Sequence, residues 1–158
     1  MGKAIETYLQ DHHAGSVAGV DAFRRVAEHH GDPEVRAALE RMSAEIEADQ
    51  EALVEVMESL GTQPAALKDL PAKIGEKFAR LKLVNRFSER SPLNDVEDLE
   101  LLVMAVHGKS LGWSLLLGVE DERLDRERLT ALLRRAREQG EELDALRHGQ
   151  AAKLLEED

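Results

Sequence analysis

Gly31-Asp32-Pro33 is the tightest constraint on what this chain can fold into. Helical periodicity stands on both sides of it. Before it, Ile5, Leu9, His12, Ser16, Gly19, Phe23, Val26 and His30 step by three or four; after it, Val35, Leu39, Met42, Ile46, Asp49, Leu53, Val56 and Leu60 do the same. Glycine stops the first helix, Asp32 caps the second, and Pro33 takes its first position with Glu34 near its positive end. A connection this short forces the two helices into an antiparallel hairpin. Gly61 closes the second helix as a left-handed cap.

The first stripe is unusual in its middle, where His12, Ser16 and Gly19 stand in place of large apolar residues and Gly15 lies nearby. Each interior glycine costs a helix about 1 kcal/mol relative to alanine. Gly15 and Gly19 are therefore expected to leave space beside His12, for a close-packed helix or for a bound group.

Two further long helices are predicted, giving helices over about 3–30, 33–60, 92–118 and 122–155, with a short one over 71–84. Ser91-Pro92 opens the third, whose run LELLVMAV is apolar on most sides and is expected to be the most buried. The fourth starts after Asp121 or Asp125 and carries Leu129, Leu132, Ala136, Gln139, Leu143 and Leu146 between charged faces, and the tail AAKLLEED is expected to fray. At 158 residues the expectation is one all-α domain over 1–158. Residues 62–91 are basic, with Lys68, Lys73, Lys77, Arg80, Lys82, Arg86 and Arg90 against Asp69, Glu76 and Glu89, a net of +4. Ile74, Phe78 and Leu81 mark their short helix, read as a basic strap on an acidic bundle.

A formal charge of −11 argues against nucleic acid, whose binding is driven by positive charge. The absence of cysteine removes disulfides, thiolate metal sites and redox dithiols. No apolar leader or membrane span is evident, so a cytoplasmic protein is expected. Little chain follows the fourth helix to build an assembly interface, which favours a monomer or homodimer.

The segments HGDPEVRAALERMSAEIEADQEALVEVMESLG, DHHAGSVAG, DLELLVMAVHGKSLGW and RAREQGEEL resemble the ferritin-like four-helix-bundle superfamily, specifically a bacterial branch of it. That resemblance implies a bundle whose second and third helices run parallel, joined by a crossover carrying the short helix. The superfamily usually holds a di-iron or di-manganese site built from Glu-x-x-His motifs. Here the residues three before His12, His13, His29, His30, His107 and His148 are Leu9, Gln10, Val26, Ala27, Met104 and Ala145. The ligand motif is missing.

Helical rise places other polar residues at one level. Counting from the first turn sets His12 opposite position 51. With the second and third helices parallel, as the resemblance implies, an offset of 59 between Pro33 and Pro92 sets Asp49 level with position 108, whereas an antiparallel third helix would remove that coincidence. His12, Asp49 and one of His107 or Lys109 are therefore expected to share a layer, with Asp49 accepting from His12 and Lys109. The function expected is that of a non-catalytic structural or interaction protein, with no cofactor. The alternative is a divergent iron, manganese or zinc site, or an oxidoreductase, using His12, Asp49, His107 and Glu45 or Glu100. Lys109 counts against the alternative, since a buried ammonium competes with a cation for the carboxylate. Trp113 and Met104 are expected as core fillers.

Overall fold

The computed structural model describes residues 2–66, 69 and 91–156. Four helices account for most of them: α1 (Lys3–His29), α2 (Pro33–Ser59), α3 (Pro92–Leu117) and α4 (Arg126–Gly149), followed by a 3-10 turn at Ala151–Leu155. The architecture is an all-α four-helix bundle. Three of the four starts are capped by a side chain. Asp32 accepts from the backbone N–H of Glu34 and Val35 ahead of Pro33. Ser91 and Asn94 form a reciprocal capping box ahead of α3, and Asp125 caps α4 by accepting from Arg128 N. α2 ends with Gly61 at φ +82°, and Thr62 N–H reaches back to Met57 O at 2.9 Å.

Contacts at the two ends set the helix directions. Gly31 N–H donates to both carboxylate oxygens of Asp95 at 3.1 Å, which pins the α1–α2 turn to the start of α3. A Cβ at Gly31 would collide with that carboxylate, so a larger residue there would force the Asp95 side chain to shift. Gln150 and Lys153 donate to Asp32 at 3.2 and 2.8 Å, bringing the end of α4 to the same pole. At the opposite pole Arg123 donates to Leu60 O at 3.1 Å. α2 and α3 thus run parallel, while α1 and α4 oppose them. α1 packs on α2 and α3, and α4 packs on α3 and more lightly on α2.

The core is divided in two. Leu9, Leu53, Met57, Trp113, Leu116, Leu129 and Ala136 fill one half; Phe23, Val26, Leu39, Met42, Leu99, Leu102 and Leu143 fill the other. On every helix the division falls at the same height, between Leu9 and Val20, Ile46 and Ala52, Val106 and Trp113, and Ala136 and Leu143. The residues of that waist are polar or small.

Three expectations need correction. α3 buries nine of its residues, as α2 does, but its apolar residues extend around the whole cylinder and a bundle covers only the inward side. Met104, Leu111 and Leu115 on its outer face are 63, 54 and 51 % exposed, so Met104 is no core filler. The fourth helix does not span 122–155. It starts at Arg126, after the turn that Asp125 caps, and ends at Gly149. The tail does not simply fray, since Ala151–Leu155 forms a 3-10 turn anchored through Lys153 to Asp32. The expected helix over 71–84, its stripe of Ile74, Phe78 and Leu81, and all seven basic residues of the strap, from Lys68 to Arg90, lie outside the described residues. Among the described residues no helix is long and apolar enough to cross a membrane.

Candidate functional site: a polar waist beside an apolar groove

Asp49 projects from α2 into the bundle and its side chain is 1 % exposed. Lys109 of α3 donates to its Oδ2, and Arg135 of α4 donates to Oδ1 through Nη2 and, at 2.8 Å, through Nε. Gln139 donates to Oδ2 at 3.3 Å and to Glu45 at 3.0 Å, while its own carbonyl accepts from Lys109 at 2.5 Å. Two cations and two carboxylates are thus interleaved through one amide. Burial pushes the Lys109 ammonium below its ordinary value, and the attraction of Asp49 opposes that shift. Buried charges persist when each is paired and hydrogen-bonded, and here all are.

Parallel α2 and α3 bring Lys109 to Asp49 as the residue count anticipates. The other predicted members stand elsewhere. No hydrogen bond joins His12 to Asp49; the imidazole packs over Gly112, one helical turn beyond Lys109, where an added Cβ would come within 2.9 Å of Nδ1. The Tyr8 ring lies against it, tilted by 53°, at 4.5 Å between centroids. His107 is exposed on the outer face of α3. Glu100 is exposed and pairs with Arg147 at 3.4 Å. Glu45 belongs to the waist through Gln139. The ligand set His12, Asp49, His107, Glu45 and Glu100 is therefore not brought together, because residues 100 and 107 share an outward face. Among the described residues no three His, Asp or Glu side chains converge as a metal site would require.

Arg135 was not anticipated, although a signal for it exists. α4 is antiparallel to α2, with Arg41 pairing Glu142 and Arg128 pairing Glu55. That register sets Asp49 opposite position 134, one residue from Arg135. Gln139, a polar residue within an otherwise apolar stripe, is a second pointer to the same level.

Beside the waist, α1 and α3 stand apart and a groove of about 330 Å³ opens between them. Its floor is Ile46, Asp49 and Leu53 of α2, and its walls run from Tyr8 to Arg25 on α1 and from Leu101 to Leu116 on α3. The glycines make the gap. Cβ atoms built at Gly15, Gly19 and Gly108 meet no described atom within 4 Å. Gly15→Ala, Gly19→Ala and Gly108→Ala should each stabilise the fold by about 0.5–1 kcal/mol, through helix propensity and lower chain entropy in the unfolded state. Urea titration measures this; a loss of stability at all three would mean the space is filled. Gly112→Ala should be destabilising by contrast, because the His12 ring occupies that space.

Burial also holds His12 and His13 below the ordinary imidazole value of 6.5, with Asp11 partly opposing the shift at His12. A histidine with a lowered folded pKa binds fewer protons folded than unfolded. Its stability is whole above about pH 6.5 and declines as pH falls through that value toward the folded pKa. The melting temperature should therefore drop between pH 7 and pH 5, less steeply in His12→Asn; equal slopes would remove His12 from the account.

Comparison with curated proteins and with solved structures finds no match to this chain. One family model does match, over residues 4–105, which covers α1, α2 and the first half of α3. His12, Gly15, Gly19, Glu45 and Asp49 fall within that span, whereas Lys109, Gly112, Trp113, Arg135 and Gln139 lie beyond it. On that match the chain belongs to the family described as a domain of unknown function, DUF2383.

Proposed function

We propose that this protein is a ferritin-like bundle that has exchanged the superfamily's metal centre for a self-neutralising polar waist, and that it works as a non-catalytic binding or interaction protein. The parallel run of α2 and α3 on either side of a connection of about 30 residues supports the ferritin-like part of this reading. The observation that carries the rest is the saturation of Asp49. Both of its oxygens are engaged by Lys109, Arg135 and Gln139, so no lone pair on this carboxylate is left for a cation or for proton transfer. In this reading the waist sets helix register, and the working surface is the groove beside it. A cysteine-free chain suits a cytoplasmic setting, and either a monomer or a homodimer leaves the α1–α3 face accessible.

Elemental analysis of protein purified from its native source tests the proposal. Iron, manganese and zinc should each be well below one equivalent. A stoichiometric metal that disappears in Asp49→Asn or His12→Ala would overturn it.

A further inference from the structure

α3 carries a second row of apolar residues that the bundle core does not use. Leu101, Met104, Gly108, Leu111 and Leu115 step by three, four, three and four, the seven-residue repeat of a helix that packs lengthwise on another helix. The row points outward, with Met104, Leu111 and Leu115 each more than half exposed. Large apolar side chains aligned over two heptads make a contiguous patch, which marks an interaction site when a soluble chain exposes it. The patch is also free of charge. In a chain that is 34 % Asp, Glu, Lys and Arg, the exposed residues of α3 between Leu101 and Leu117 are Met104, Ala105, His107, Leu111, Ser114 and Leu115. Lys109, the charged residue of that stretch, is turned inward to Asp49. Depletion of charge is the compositional mark of an interface core.

We propose that this face is the interface of a two-fold symmetric homodimer, in which α3 packs antiparallel on α3 of a second copy. Charge and shape select a copy over a foreign partner. Two copies at −11 repel over most of their surface and can meet without that repulsion only where neither is charged. An unlike partner would find no charge on this face to recognise. In an antiparallel pairing the two apolar positions of the repeat alternate across the seam. Leu111 then comes level with Gly108 of the second copy and Met104 with Leu115, and the two-fold axis repeats both contacts. No described atom lies within 4 Å of a Cβ built at Gly108. That glycine is a hollow, and the exposed Leu111 is the knob that fills it in the other protomer. A parallel pairing would set Gly108 against Gly108 and leave a void, which close packing disfavours. A seam from Leu101 to Gly118 is about 26 Å long, and half the cylinder of a helix about 11 Å across is about 450 Å² on each copy. Together they reach about 900 Å², the small end of specific interfaces, so the dimer is reversible with a dissociation constant of roughly 1–100 µM. The antiparallel two-fold leaves both α1–α3 grooves on the same side of the dimer. Of the two assembly states compatible with the proposed function this selects the homodimer, and it holds whatever the metal content.

Sedimentation equilibrium of the full-length protein, over concentrations spanning that constant, tests the interface. The data should fit a monomer–dimer equilibrium that tightens about two- to tenfold from low to high salt, as the like charges of the two copies are screened. Leu111→Glu and Leu111→Lys change the net charge in opposite directions, yet each should weaken dimerisation about tenfold or more by placing a charge in the seam. Met104→Lys repeats the test at a second exposed position, and circular dichroism checks that each variant is helical. Leu155→Glu, outside α3 and exposed, should leave the equilibrium unchanged. The chain has no cysteine of its own, so single cysteines report the register. Leu111→Cys should cross-link the copies on mild oxidation, its two positions being about 5 Å apart along the axis, and Leu115→Cys should not, at about 17 Å. Equal cross-linking at both would overturn the antiparallel arrangement. A monomer at every concentration, or a dimer indifferent to the Leu111 and Met104 variants, would overturn the interface. So would a monomeric chain that captures a different protein and loses it in Leu111→Lys, because the face would then serve a foreign partner. A dimer that weakens with salt would overturn the uncharged seam.

Discussion

Asp49→Ala should destabilise the bundle by about 3–5 kcal/mol, the cost of leaving buried charges without their partner. Among the described residues the carboxylate is the one anion that both Lys109 and Arg135 bond at the waist, and the Lys109 side chain is 18 % exposed. Lys109 cannot easily reach water from that position. Arg135, at 38 %, can swing outward and recover part of its hydration, which keeps the cost within this range. In a protein of this size the melting temperature should fall by roughly 6–20 °C. The pairing predicts non-additivity: Asp49→Ala introduced into Lys109→Met should cost at least 1 kcal/mol less than in the parent. Urea titration of the four proteins measures the coupling. Additive costs would mean that the waist is a set of independent contacts and not one charge network.

The second large effect lies in the apolar half of the core. Phe23 is fully buried and also lines the groove. Truncation of a buried phenylalanine costs about 3–5 kcal/mol, with the upper values arising where the cavity stays sealed. The cavity left by Phe23→Ala would open into the groove, so water can enter and the cost should sit near 3 kcal/mol. Leu39→Ala removes a smaller side chain, also fully buried, that is not part of the groove. It should therefore cost nearly as much despite its size. Denaturant unfolding of both variants is the test, and a Phe23→Ala penalty exceeding that of Leu39→Ala by 2 kcal/mol or more would mean the groove is closed off from that position.

Much of the fold is legible because its signals are local. The Gly31-Asp32-Pro33 turn, the Ser91-Pro92 start and Gly61 at positive φ each act within a few residues, and apolar spacing marks the inward face of three helices. α3 defeats that logic. When apolar residues surround a helix, periodicity no longer says which side is inside, and Met104, Leu111 and Leu115 fall on the outside. The site was half legible for a similar reason. Lys109 beside Asp49 follows from counting along parallel helices. Placing His12 one turn away, over Gly112, requires the stagger of α1 against α3, which no local signal encodes. Arg135 sits on a heavily charged helix where many arginines are equivalent until the register with α2 is known.

By itself, then, the sequence determined the four long helices, the caps of three of them, the tight first hairpin and a polar break at mid-height, because propensity, capping and spacing act over one or two turns. Only the tertiary structure decided which charges neutralise one another, that His107 and Glu100 face away from the waist, and that Gly108 borders open space while the His12 ring fills the space over Gly112. Those outcomes depend on rotation and stagger between helices distant in the chain, and it is the packing of all four together that sets them.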